Sequence, residues 1–296
     1  MPKRIVDTEH KSIDRVAVDA LLVGIRNGLG YLGKEGEPIL EKMGDRMLEY
    51  LTMVGEVKSH SKLEEIRQSL QELFTSNGYP KEIPLKFKGS PPTPSMPDFI
   101  NYLGGTRKED GDHKKDYLTQ SKADGKAQVD WVIYEMVIYG MSRGLDSIGA
   151  QGQILTNRIA GGMLDYLVEN GRIEPSDDPE VFLQRMGDFF LKAGFADKIV
   201  KEFEGSPPNA LVLTYYHSRY HMNVLPRLRD AGNLLYSCPP CLAAGSILRR
   251  SRGTRIVYDV EIRVLPEGEV VLRHKIYPGG ESFSEEQAQE TSRLMK

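Results

Sequence analysis

The sequence predicts an α+β protein of two tandem homologous modules, the first mainly helical and the second complete. Three observations carry that expectation. Residues 24–92 return at 140–208 with a constant offset of 116, and 20 of the 73 pairs between 20–92 and 136–208 are identical. Both copies space apolar residues helically and stop their helices at glycine. Strand-like segments continue in the second copy as far as Ile276. The period is too long for a solenoid, so this is a duplicated domain.

The elements follow in order. A polar arm (1–12) precedes a helix from Ser12 to Gly33, whose apolar positions are Val16, Ala20, Val23, Leu29 and Leu32. Gly24 and Gly28 lie inside it, and Gly140 and Gly144 repeat the pair. Each interior glycine costs about 1 kcal/mol against alanine, so a close neighbour should offset it. Packing against another helix is the expectation, and a slot for a flat ligand is the alternative. Pro38 opens a second helix, Ile39–Val54, which Gly55 stops as Gly171 does later. A third helix spans 62–77 before Gly78, and strands follow at Ile83–Phe87 and Ile199–Phe203.

Then the copies diverge. The first runs into a charged linker at 103–126, which sets the modules at 1–102 and 127–280 with a polar tail at 281–296. The second continues with a strand at Ala210–Tyr216, a helix over His217–Ala231 disturbed by Pro226, and a short helix at Cys241–Arg250. A hairpin of Ile256–Leu265 and Glu269–Ile276 follows across Pro266-Glu267-Gly268.

Composition narrows the function. A net charge of −3 and a pI near 6.1 argue against a dedicated nucleic-acid binder. No run approaches the roughly 18 apolar residues of a membrane span, and the start lacks a signal-peptide core. Two cysteines in 296 residues make no disulfide framework, so a cytoplasmic location is expected.

Both cysteines and two of the six histidines fall within a short stretch that only the second copy carries: His217-x3-His221, then Cys238-Pro239-Pro240-Cys241. Cys-x2-Cys turns two sulfurs to one side, and histidines at i and i+4 share a helix face. Cys238, Cys241, His217 and His221 are therefore the candidate metal ligands, with zinc the expected ion. Two other readings stay open. A Cys-Pro-Pro-Cys segment ahead of a helix can be a redox dithiol, with the thiol acidified by the helix end. Buried cysteines can also be small core residues.

The run Arg249, Arg250, Arg252 and Arg255 suits a helix C-terminus. Its sharper reading makes Arg249, Arg250 and Arg252 an anion subsite, because guanidinium forks match carboxylates and phosphates. No P-loop, nucleophile elbow or dinucleotide fingerprint is present, and no catalytic residue is assigned.

Glycine-punctuated paired helices, a third helix ending in glycine, a strand, and Ser237-Cys238-Pro239-Pro240-Cys241 opening a short helix resemble the vinyl-reductase (hydrocarbon-binding) domain. That family is related to haem-nitric-oxide-binding and vesicle-tethering-subunit folds. The resemblance covers about 127–278, and in the first copy only the helical front half. It implies helices packed against an antiparallel sheet, and a pocket for a small hydrophobic molecule coupled to regulation or to a partner protein. Family cysteines that bind metal would map onto Cys238 and Cys241; further cysteines downstream are lacking here. The expected function is a ligand-binding sensor without catalysis, the first copy standing in for a dimer partner. A redox or metal-dependent accessory enzyme using Cys238 and Cys241, and a structural subunit of a larger complex, are the alternatives.

Overall fold

Two three-residue strands, β1 (Ser12–Asp14) and β2 (Gln128–Asp130), pair antiparallel with Ile13 opposite Val129. Those partners stand one repeat offset apart, as do Ser12 and Gln128 at the two ends of the pairing. A pseudo-twofold axis therefore passes through this pair. In this computed structural model the described residues are 12–58, 63–79, 127–234, 237–252, 255–265 and 269–277. The expected strand at Ile83–Phe87, the linker at 103–126, the turn at 266–268 and the tail at 281–296 lie outside them.

Each of these strands ends in an aspartate that caps a helix. Asp14 accepts from the Val16 amide ahead of α1 (Arg15–Gly30), and Asp130 accepts from Val132 ahead of the helix that repeats it. The first module continues with α2 (Glu37–Val54) and α3 (Leu63–Ser76). The second provides α4 (Trp131–Asp146), α5 (Ala150–Glu169) and α6 (Pro179–Lys192). Both ends of α1 and α3 map onto those of α4 and α6 at the repeat offset.

The helices exchange partners between modules: α1 packs chiefly on α5, and α2 chiefly on α4. The interior glycines explain how. A Cβ on Gly24 would stand 2.6 Å from the Ile159 carbonyl oxygen, and one on Gly140 would stand 2.7 Å from that of Met43. Met43 and Ile159 are themselves equivalent in the repeat, so one contact is made twice about the axis. The glycines serve packing. Left-handed backbone at Gly55 (φ 85) and Gly171 (φ 64) ends the second helix of each module.

The second module adds a four-stranded antiparallel sheet. It comprises β3 (Lys198–Glu204), β4 (Ala210–Tyr216), β5 (Arg255–Val264) and β6 (Glu269–Tyr277), in the order β3-β4-β6-β5. Alternation buries Leu211, Leu213 and Tyr215 of β4 and Val270, Leu272, His274 and Ile276 of β6 on one face. The architecture is α+β, and among the described residues no helix is long and apolar enough to cross a membrane.

Two expectations are corrected. His217–Ala231 is not one helix. His217 has φ 52, a π-helical turn covers Tyr220–Val224, and α7 (Leu225–Asp230) is short. Pro226 has no amide hydrogen, so it fits only in a first turn. The Leu225 amide instead bonds back five residues to the Tyr220 carbonyl. The last helix, α8 (Pro239–Arg252), begins before Cys241, because the Cys238 carbonyl accepts from the Leu242 amide and so starts the helix. It packs on α5 and α6 and touches β5.

Candidate functional site

The N-terminus of α8 brings both cysteines into the core between helices and sheet. Cys238 and Cys241 are each 3% exposed and stand close enough to perturb one another's ionisation. The Tyr215 hydroxyl on β4 meets the Cys241 Sγ at 3.3 Å. The π-helical turn delivers His221, 2% exposed, with its ring 4.7 Å from that of Tyr215 and edge-on to Phe195. The Tyr134 hydroxyl, buried on α4, lies close enough to feel the charge of Cys238.

The electrostatics separate the two thiols. Burial by itself pushes Cys238 up, but its interactions with the neighbouring Cys241 and then with His221 outweigh it and bring it down to about 5. Burial and the neighbouring Cys238 sulfur push Cys241 well up. Neither ring nitrogen of His221 reaches a partner at hydrogen-bond geometry, nor does the Tyr134 hydroxyl. Two polar groups are therefore held beside Cys238 without a bonding partner, which is costly in a packed core. His274, from β6, is also buried; burial first, then the charge of His221, lowers it to about 4.

Of the four expected ligands, Cys238, Cys241 and His221 come together and His217 does not. His217 is half-exposed, with Nδ1 2.8 Å from Asp197 Oδ2. The i, i+4 argument assumed a helix, and the left-handed turn at His217 removes it. Among the described residues no group of three His, Cys, Asp or Glu side chains is placed to hold a metal ion.

The arginines are engaged with α5. Arg249 donates to the Asn157 carbonyl at 3.1 Å; Arg250 bonds the Gly161 carbonyl and pairs with Asp165. The Arg252 side chain lies outside the described residues. An anion would have to compete with these contacts at Arg249 and Arg250.

A buried carboxylate was not anticipated. Glu135, on α4, accepts from the Tyr50 hydroxyl and from Asn223 Nδ2, both at 2.8 Å, with Arg219 Nε at 3.5 Å. Tyr50 comes from the first module, while Asn223 and Arg219 flank His221. This network fastens the π-helical turn, and hence His221, to α4. Its sequence signal was an acid within the apolar run Trp131-Val132-Ile133-Tyr134-Glu135-Met136-Val137.

A narrow apolar cleft runs between α6 and the sheet towards the cysteines. Leu183, Met186, Ile199, Leu211 and Leu213 line it, and Tyr215 and Pro240 also border it. Its interior volume is about 20 Å³, room for one water. Gly187 lines it too, in mid-helix, and a Cβ there would meet nothing within 4 Å.

No protein-family model, curated protein or solved structure matches the chain.

Proposed function

We propose that the second module binds a small, largely hydrophobic molecule between α6 and the sheet, and that the chain works as a ligand-responsive regulatory protein. Gly187 carries this reading. A mid-helix glycine costs about 1 kcal/mol against alanine, and here no close backbone demands it. Its equivalent in the first module is Gln71, so the small residue is particular to the second module. Leaving that space open lets α6 accommodate a guest among Leu183, Met186 and Leu213. The resting volume is small, so binding requires α6 to shift outward from β3 and β4. Apolar walls of Leu183, Met186, Ile199, Leu211 and Leu213 suit a hydrophobic body.

The test is uptake of the neutral fluorescent probe N-phenyl-1-naphthylamine by the full chain. Wild type and Gly187→Ala should bind one equivalent. Gly187→Phe, which fills the cleft from the helix side, should weaken binding by about tenfold or more while the circular dichroism is unchanged. Equal binding by Gly187→Phe and wild type would remove the cleft from consideration.

A further inference from the structure

The cysteine pair has a geometry that core packing does not require. Cys238 sits at the start of the 14-residue helix α8, so its sulfur lies at the end where unpaired amides concentrate positive charge. Cys241 follows one turn later, equally buried, with its sulfur 3.3 Å from the Tyr215 hydroxyl. His221 stands beside Cys238, 2% exposed, with both ring nitrogens lacking hydrogen-bond partners. Two inert thiols would be equally well served by an apolar neighbour in place of that imidazole. Tyr215 and Pro240 link the pair to the cleft, whose interior admits a molecule the size of water and nothing as large as a peptide thiol.

We propose that Cys238 and Cys241 form a dithiol oxidised by hydrogen peroxide, with Cys238 attacking and Cys241 resolving. In the first step the Cys238 thiolate sulfur bonds to one oxygen of hydrogen peroxide. The O–O bond breaks, and the departing hydroxide takes up the proton that the Cys238 thiol gave up and leaves as water, with His221 the side chain beside Cys238 placed to relay that proton. Sulfur is oxidised by two electrons to the sulfenic acid, and the peroxide is reduced. In the second step the Cys241 sulfur attacks the Cys238 sulfur. The S–S bond forms, the S–O bond breaks, and the hydroxyl leaves with the Cys241 proton as a second water. Two thiols and one peroxide thus become one disulfide and two waters. The new bond takes the Cys241 sulfur from Tyr215 and constrains Pro240 between the two cysteines, so oxidation reshapes the inner end of the cleft.

The inference rests on the ligand reading only in using the cleft as the peroxide's route, and the readouts keep the two apart. The full chain is treated with hydrogen peroxide, unfolded in N-ethylmaleimide and weighed intact. Two maleimides should add before treatment and none after it, with dithiothreitol restoring both. Cys241→Ser should stop at a sulfenic acid on Cys238, trapped by dimedone. Cys238→Ser should consume peroxide about tenfold or more slowly, and His221→Gln should slow the first step. Thiols that stay fully alkylatable in excess peroxide would overturn the proposal without any variant. So would wild-type peroxide consumption by Cys238→Ser, or stoichiometric zinc released on alkylation. Oxidation without probe binding would sink the ligand reading alone, and probe binding with inert thiols would sink this one alone.

Discussion

Asp19 and Glu135 occupy equivalent positions on α1 and α4, one repeat offset apart, and both are 3% exposed. Their surroundings differ. Glu135 accepts from Tyr50 and Asn223 and lies by Arg219, so both oxygens are occupied. Asp19 has Arg15 one turn away at 3.7 Å, while its Oδ1 has no hydrogen-bond partner. Arg15 in turn stacks on the Tyr79 ring and donates to the Gly78 carbonyl. Burial, partly offset by Arg15, pushes Asp19 up to about 7. The same scaffold position thus holds a fully bonded acid in the second module, next to the π-helical turn, and an under-bonded acid in the first. Duplication preserved the helices and let the polar core specialise.

The sharpest way to break this comparison is to remove each acid. Glu135→Ala leaves Arg219 and Asn223 buried without their carboxylate and should destabilise by about 3–5 kcal/mol in urea unfolding. A loss near zero would show that the π-helical turn is held by something else.

Asp19→Asn should act in the opposite sense and only above a certain pH. The folded pKa is raised, so the stability from its protonated form is fully present below about 4. It declines as pH rises and is lost above about 7. The amide cannot ionise, so its advantage over wild type should grow by about 2–4 kcal/mol between those limits. Unfolding free energies at pH 4 and 8 decide it, and a pH-independent difference would refute the assignment.

The smallest effects sharpen the contrast between glycines. Alanine at Gly24 or Gly140 meets a carbonyl oxygen and should cost about 1–3 kcal/mol. The same change at Gly187 meets open space and should stabilise by up to about 1 kcal/mol. Thermal melts of the three variants test this, and a shared sign would refute the distinction.

Local chemistry explains what was legible beforehand. Apolar spacing and terminal glycines mark helices within a few residues, and alternation marks β4 and β6, because each signal acts over one or two turns. The site was only half legible. Cys238 and Cys241 announce themselves by spacing, and His221 by nearness in sequence. His274 was missed because it occupies an inward position of a strand among Val270, Leu272 and Ile276, where pattern alone reads as core. His217 was included because i, i+4 spacing was taken on a helix that Pro226 and the left-handed turn replace.

The sequence by itself determined the duplication, the helix and strand segments and the dithiol motif, since each is written in neighbouring residues. Only the tertiary structure decided that α1 packs on α5 and α2 on α4. The repeat makes own-module and cross-module pairing similar in pattern, and the choice lies in Gly24 against Ile159 and Gly140 against Met43. It also decided that Glu135 holds the turn bearing His221, that His217 stands apart, and that Gly187 faces space. Those are contacts between segments far apart in the chain, set by steric fit and burial that no local pattern encodes.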